Sequence, residues 1–173
     1  MSDNIYNPDN KPIRFINSEY KTLFTIPDGG YINITLDNGE VLTRRCRYHG
    51  ECHVDVGTSL YHVAELAEKM ERAGNKYEPY PEPEIVHGYV ITDRMPVGDK
   101  VFVLAHNPDA VQKYVTWQGR SDKSGGWNWG HYWSSRSDAW TDCFRRADSE
   151  RTGRPYDYTK FLKQRQERDD GAR

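Results

Sequence analysis

Residues Tyr31 to Tyr48, YINITLDNGEVLTRRCRY, read as two strands and the turn that joins them. Tyr31, Asn33 and Thr35 alternate with Ile32, Ile34 and Leu36, which is the period of a half-buried strand. Asp37-Asn38-Gly39-Glu40 follows, and Asn-Gly readily takes the type I′ geometry that matches strand twist. Val41 to Tyr48 is then the return strand, so an antiparallel hairpin sits at the centre of the first half.

Upstream, Pro27-Asp28-Gly29-Gly30 is a turn, because Pro presets φ and Gly supplies positive φ. Ile13 to Ile26 alternates loosely and carries Phe15, Leu23 and Phe24, apolar enough to dock on a core. Residues 1–12 hold Asp, Asn and two prolines and read as a flexible lead-in. Downstream, a turn at His49-Gly50 leads to a short strand, Cys52 to Val56. Thr58 or Ser59 is placed to cap a helix, with Leu60, Val63, Ala64, Ala67 and Met70 as its apolar stripe and Gly74 ending it. Residues 13–76 are therefore expected as a βββα unit.

Pro79, Pro81 and Pro83 alternate with acids and tyrosines, so 77–87 is expected as an extended Pro-rich linker. Residues 88–156 then read as a ββββα unit. Gly88 to Arg94 pairs with Lys100 to Ala105, followed by strands at Tyr114 to Trp117 and Trp127 to Trp133. A helix from Arg136 to Arg151 has Ser135 as N-cap and Asp138 three residues on, with Trp140, Cys143, Phe144 and Ala147 as its buried stripe. Gly153 and Pro155 end it. The order of elements repeats between the halves, but no residue-level self-similarity supports a duplication. Residues 157–173 form a polar C-terminal segment, a short helix or tail. The fold class expected is α+β: antiparallel sheets built from two successive strand-run-then-helix units.

Composition narrows function by exclusion. The 173 residues carry 24 Lys+Arg against 26 Asp+Glu, a formal charge of −2, which suits neither a duplex-DNA binder held by phosphate neutralisation nor a DNA mimic. Mean hydropathy is −0.94, and aromatic residues at 13% compensate for a modest apolar content. No window approaches a membrane span, and three cysteines without an N-terminal apolar segment point to a cytoplasmic protein with reduced thiols.

Cys46, His49, Cys52 and His53 are all zinc-ligand types. A tight hairpin would send the neighbours Cys52 and His53 to opposite faces, so these residues are read as structural and no metal is expected. His49-Gly50-Glu51 resembles the His-x-Glu of zinc deaminases, but no Pro-Cys-x-x-Cys follows downstream, where Cys143 stands alone. His62 and Glu65 share a helix face without a third ligand. No Gly-rich phosphate loop or G-x-S-x-G elbow is present. Neither a catalytic residue nor a cofactor is assigned, and the chain is read as non-enzymatic.

All five tryptophans lie between Trp117 and Trp140. Alternation through Trp127 to Trp133 places Trp127, Trp129, His131 and Trp133 on one face, with Asn128, Gly130 and Tyr132 on the other. The following helix would close over the aromatic face, so Trp129→Ala is expected to cost about 3–5 kcal/mol. The competing reading is an exposed interface of Tyr114, Trp117, Arg120, Trp129, His131 and Tyr132, since aromatics interleaved with Arg serve protein hot spots and single-stranded nucleic acid alike.

Several stretches resemble small proteins carried by conjugative and integrative elements of gut Firmicutes, of the large polyvalent-protein-associated type. They are Ile13-Arg14-Phe15-Ile16-Asn17-Ser18, Leu23 to Gly30, Cys46-Arg47-Tyr48, Tyr61 to Glu71, and Trp129-Gly130-His131-Tyr132. The resemblance carries no catalytic assignment. What it implies is a setting, the accessory genes of mobile DNA, whose cargo includes inhibitors of host defence. The expected function is a non-enzymatic accessory protein that binds a partner protein, with a host defence nuclease as the leading candidate, in the manner of anti-CRISPR proteins. The alternative is a single-stranded nucleic-acid-binding module using the aromatic strand and the run Lys160, Lys163, Arg165 and Arg168, otherwise a solvated tail.

Overall fold

The computed structural model describes residues 4–172, which divide after Arg94 into two compact units. In chain order the elements are β1 (Ile13–Ile16), β2 (Thr22–Ile26), β3 (Tyr31–Thr35), β4 (Val41–Tyr48), β5 (His53–Val56), β6 (Ser59–His62) and α1 (Val63–Arg72). Then come β7 (Lys76–Pro79), β8 (Ile85–Val86), β9 (Tyr89–Val97), β10 (Lys100–His106), β11 (Tyr114–Arg120), β12 (Asn128–Trp133), α2 (Arg136–Thr152) and α3 (Tyr158–Gly171). Every strand pair with a resolved register is antiparallel, and the fold is α+β.

In the first unit the central hairpin forms in the expected register, from Tyr31↔Arg45 to Thr35↔Val41, with Gly39 at φ 86 in its turn. The Pro-rich stretch is not a plain linker. Its start is β7, which pairs with β3 through Ile34↔Tyr77 and Ile32↔Pro79. An edge position tolerates Pro79, which lacks a ladder donor. The division of the chain lies later, within β9.

Nor is the part of the lead-in from residue 4 onward loose; residues 1–3 lie outside the described residues. Asn4 Nδ2 donates to Asp28 Oδ2 and to the Tyr48 carbonyl, and the buried Asn7 amide donates to Asp28 and Lys11. Asp28, in the turn before β3, collects these donors, and composition alone does not reveal such a hub.

The first helix begins later than expected. Ser59 to His62 form β6 against β5, leaving Leu60 exposed, and His62 caps α1 by accepting from Ala64 N at 3.3 Å. Leu66, Ala67 and Met70 are its buried face. The core gathers Ile13, Phe15, Ile32, Ile34, Cys46 and Val54 around them. Tyr77 closes this core, tilted against Phe15 and edge-on to Phe24, each at 5.6 Å, while its hydroxyl donates to the Ile16 carbonyl.

Burial, aided by the negative charge of Glu71, pushes the Tyr77 phenol up to about 12 from an ordinary 10.0. A raised folded-state pKa supplies stability that is complete below the unfolded value and is lost as pH rises through the folded one. The contribution of Tyr77 is therefore expected to hold up to about pH 10 and to fall between there and about 12. Urea titrations across that window check this, and Tyr77→Phe should flatten the decline.

Thiol placement gives a second test. Cys46 and Cys143 are buried and Cys52 is exposed, and burial lifts the Cys46 thiol to about 12. Under native conditions a thiol reagent should label Cys52 alone, with the other two reacting only in denaturant. Fast labelling of a second cysteine would contradict the core assignment.

In the second unit, β10 pairs with β11 from Lys100↔Arg120 to His106↔Tyr114, and β11 with β12. Helix α2 packs on these strands through Ala139, Cys143 and Ala147, against a core of Met95, Phe102, Leu104, Trp133 and Phe161. Ser135 caps α2, and Gly153 at φ 70 ends it. The expected buried stripe is rotated: Trp140 and Phe144 are exposed and stack on each other at 5.3 Å. Small residues let the helix axis approach the sheet, whereas an indole at the same position would hold it off.

Candidate functional site: a buried carboxylate and an aromatic edge

Rotating α2 by about one residue brings Asp142 and Arg146 onto the sheet-facing side. Asp142 is 0% exposed and lies at the centre of a polar network. Thr116 Oγ1 donates to it at 2.5 Å and the Tyr156 hydroxyl at 2.9 Å. His131 Nδ1 stands 3.0 Å from both carboxyl oxygens. Arg146 donates to Thr116 Oγ1 at 3.1 Å and approaches the carboxylate at 3.9 Å. With hydroxyls and a guanidinium directed at it the carboxyl is an acceptor, so His131 Nδ1 carries the proton. The Tyr158 ring stacks on His131 at 3.7 Å.

Burial pulls the Arg146 guanidinium below its usual range, against the opposing pull of Asp142. Burial and the neighbouring carboxylate together push the Tyr156 phenol far up. A buried charge is tolerated where its partners are all present. This network ties β11, β12, α2 and the start of α3 to one point. An imidazole fixed by a buried carboxylate is also the orienting half of many acid–base sites, but among the described residues no nucleophile is hydrogen-bonded to His131. The network is accordingly read as an anchor.

The alternation on β12 holds only at its end. Thr116↔His131 and Tyr114↔Trp133 keep one register, but Gln118 pairs with Asn128. Trp117 therefore stands opposite two residues, Trp129 and Gly130, which is a β-bulge. Trp133, 5% exposed, and His131 face α2 as expected. Trp129 does not. It sits at φ 55 and is 76% exposed, so its expected place in the core is wrong and the large cost assigned to its truncation is withdrawn.

On the face away from α2, two glycines let rings lie flat on the strands. A Cβ at Gly119 would come within 2.7 Å of the Trp127 ring. One at Gly130 would stand 2.9 Å from Trp117 Nε1 and 3.2 Å from Tyr132 Cε2. Trp117 forms the floor at 5% exposure, and Tyr132 stands open at 44%.

The six expected interface residues thus divide. Trp117, Trp129 and Tyr132 share this edge, with Trp117 buried. Tyr114 stacks on His106 at 4.7 Å, and His131 belongs to the carboxylate network. Arg120 is paired with Asp99 at 3.2 Å and with Asp122 at 3.5 Å. Sequence reasoning missed Thr116, Asp142, Arg146, Tyr156 and Tyr158. The i,i+4 pair Asp142/Arg146, flanking the small-residue row Ala139, Cys143 and Ala147, was the signal available.

In the first unit the four zinc-type residues are not gathered. Cys46 is in the core, Cys52 is exposed, and His53 meets His62 edge-on at 5.1 Å. His49 stacks on Tyr6 at 3.9 Å; its Nδ1 lies 3.4 Å from Asp55 Oδ2, within ion-pair range but without hydrogen-bond alignment. Among the described residues no three His, Cys, Asp or Glu side chains are placed to hold a metal, and no helix is long and apolar enough to cross a membrane. The chain matches no protein-family model, no curated protein and no solved structure.

Proposed function

We propose that this is a non-enzymatic binding protein that recognises a partner protein through the aromatic edge of its second unit. The observation that carries the reading is Trp129, a bulky residue held at positive φ with its indole in solvent. A left-handed conformation costs an L-residue about 1–2 kcal/mol, and an exposed ring recovers little of that by burial. Local strain of this kind concentrates at functional positions, and Trp and Tyr lead the residues that anchor interfaces. The resemblance to proteins of mobile elements supplies the partner class, a host defence nuclease.

The nucleic-acid alternative finds less support, because Arg120 is neutralised by Asp99 and Asp122, and Arg165 by Asp138 and Asp169.

The test is a plasmid-challenge assay in a host with an active defence nuclease, with recovery of nuclease subunits on the tagged chain. Wild type should protect the plasmid and retain the nuclease. Trp129→Ala should lose both while keeping its stability within about 0.5 kcal/mol. Absence of both protection and a retained nuclease overturns the reading.

A further inference from the structure

We propose that the outward face of α2 is a self-association surface, on which a second copy of this chain seats its own α2 antiparallel to the first. The inference is independent of the partner-binding reading, which rests on β12.

Arg136, Trp140, Phe144 and Asp148 recur every fourth residue along α2 and so form one ridge of the helix. The ridge is about 18 Å long at roughly 1.5 Å per residue. Arg136, Trp140 and Phe144 are exposed, and the Asp148 side chain is 45% exposed. The sheet is met by the opposite row, Ala139, Cys143 and Ala147.

The order along the ridge selects the occupant. It reads cation, aromatic, aromatic, anion. Turned end for end about a point between the two rings, it reads anion, aromatic, aromatic, cation. Arg136 of each copy then stands against Asp148 of the other, and Trp140 against Phe144. A two-fold interface must be complementary to itself. This ridge meets that demand only when the helices run antiparallel, since in parallel Arg136 would face Arg136 and Asp148 would face Asp148. The charges do not have to abandon what they already touch. The forked guanidinium of Arg136 can add an acceptor to its present interactions. Asp148 meets Arg151 at 3.8 Å, an exposed pair of small worth.

Shape agrees with charge. Trp140 and Phe144 already stack at 5.3 Å with their planes 12° apart, so docking has little left to order. The neighbouring ridge, Ser137, Thr141, Arg145 and Ser149, is low. Its short side chains leave space, and Arg145 is drawn onto the Phe161 ring at 4.8 Å. The groove beside the rings suits the ridge of a second α2 at the crossing of about 50° that two such ridges adopt.

Sedimentation equilibrium of the full chain from about 1 µM to 1 mM should show a monomer–dimer equilibrium. Trp140→Ala and Phe144→Ala should each weaken it about tenfold or more, with melting curves nearly unmoved because both rings are exposed. Charge exchange tests the orientation. Arg136→Asp puts an acid at the start of the helix and Asp148→Arg a base towards its end, both favoured by the helix dipole, so both variants should fold. Each alone should self-associate about tenfold or more weakly, because like charges meet. Mixed in equal amounts, the two variants should associate with each other, since each supplies the charge the other lacks. A chain that stays monomeric to about 1 mM overturns the proposal, and so does a dimer that survives both ring variants. Failure of the mixed charge variants to associate overturns the antiparallel seating and the proposal with it.

Discussion

Asp142→Ala is expected to cost about 3–5 kcal/mol, the range for breaking a buried ion pair by deleting one partner. The carboxylate is 0% exposed and accepts from Thr116, Tyr156 and His131. Without it three donors lose their acceptor, and Arg146 loses the carboxylate 3.9 Å from it. A domain with a total stability of about 5–15 kcal/mol loses a large fraction by this one change. Asp142→Asn keeps an acceptor, and the two hydroxyls can rotate to meet its amide, so it should cost less, about 1–3 kcal/mol. Urea unfolding of both variants measures the difference. A loss under about 1 kcal/mol for Asp142→Ala would show that the network is not the anchor of α2 and the start of α3.

How far the residues alone foretell this arrangement depends on whether local pattern and tertiary demand agree. They agree at Tyr31 to Tyr48, where alternation and an Asn-Gly turn fix one register, and the structure shows that register. They agree again at Ser135 and Gly153, since capping is chemistry of the helix end itself. They part company on β12. Perfect alternation of Trp127, Trp129, His131 and Trp133 predicts one buried face, but a single extra residue opposite Trp117 changes the phase halfway. Nothing local marks a bulge there, because no glycine takes the positive φ; Trp129 does.

On α2 the error has a different origin. Side-chain size alone favours Trp140 and Phe144 as the buried face, yet a helix lying close to a sheet selects Ala139, Cys143 and Ala147 and leaves Trp140 and Phe144 at its flank. The polar pair carried inward with that face, Asp142 and Arg146, is invisible to any pattern built on apolar residues. The candidate site was therefore legible as a region, Tyr114 to Tyr132, but not as two functions on two faces. Alternation cannot say which face a helix covers, and a buried carboxylate is recognisable only once its partners on other elements are in place.

Phe15→Ala should produce the corresponding loss in the first unit, about 3–5 kcal/mol as for other buried aromatic truncations. Its ring is 1% exposed, stacks on Phe24 at 4.9 Å and lies 5.6 Å from Tyr77. The cavity cannot close by sliding β1 along β2. A one-residue slip would turn Ile13 and Phe15 outward, and the ladder between Ile13↔Ile26 and Phe15↔Phe24 already contains its irregularity just beyond, at Ile16. Phe15→Leu retains part of the fill and should cost less.

The two outcomes open to Phe15→Ala differ in what Tyr77 reports. If the hairpin stays docked over a cavity, the Tyr77 hydroxyl keeps the Ile16 carbonyl and its phenol still resists ionisation above pH 10. If the hairpin detaches, Tyr77 meets water, its pKa returns towards 10.0, and its share of the loss of stability between pH 10 and about 12 disappears. Stability is then lower at neutral pH but flatter towards alkaline pH. We expect detachment, because the joint between β1–β2 and β7 is made of these three rings and one hydrogen bond to Ile16. Limited proteolysis at the exposed turn Ser18–Tyr20 gives the direct readout, with faster cleavage in the variant than in wild type. Cleavage as slow as in wild type, together with an intact alkaline transition, would mean that other contacts hold the hairpin.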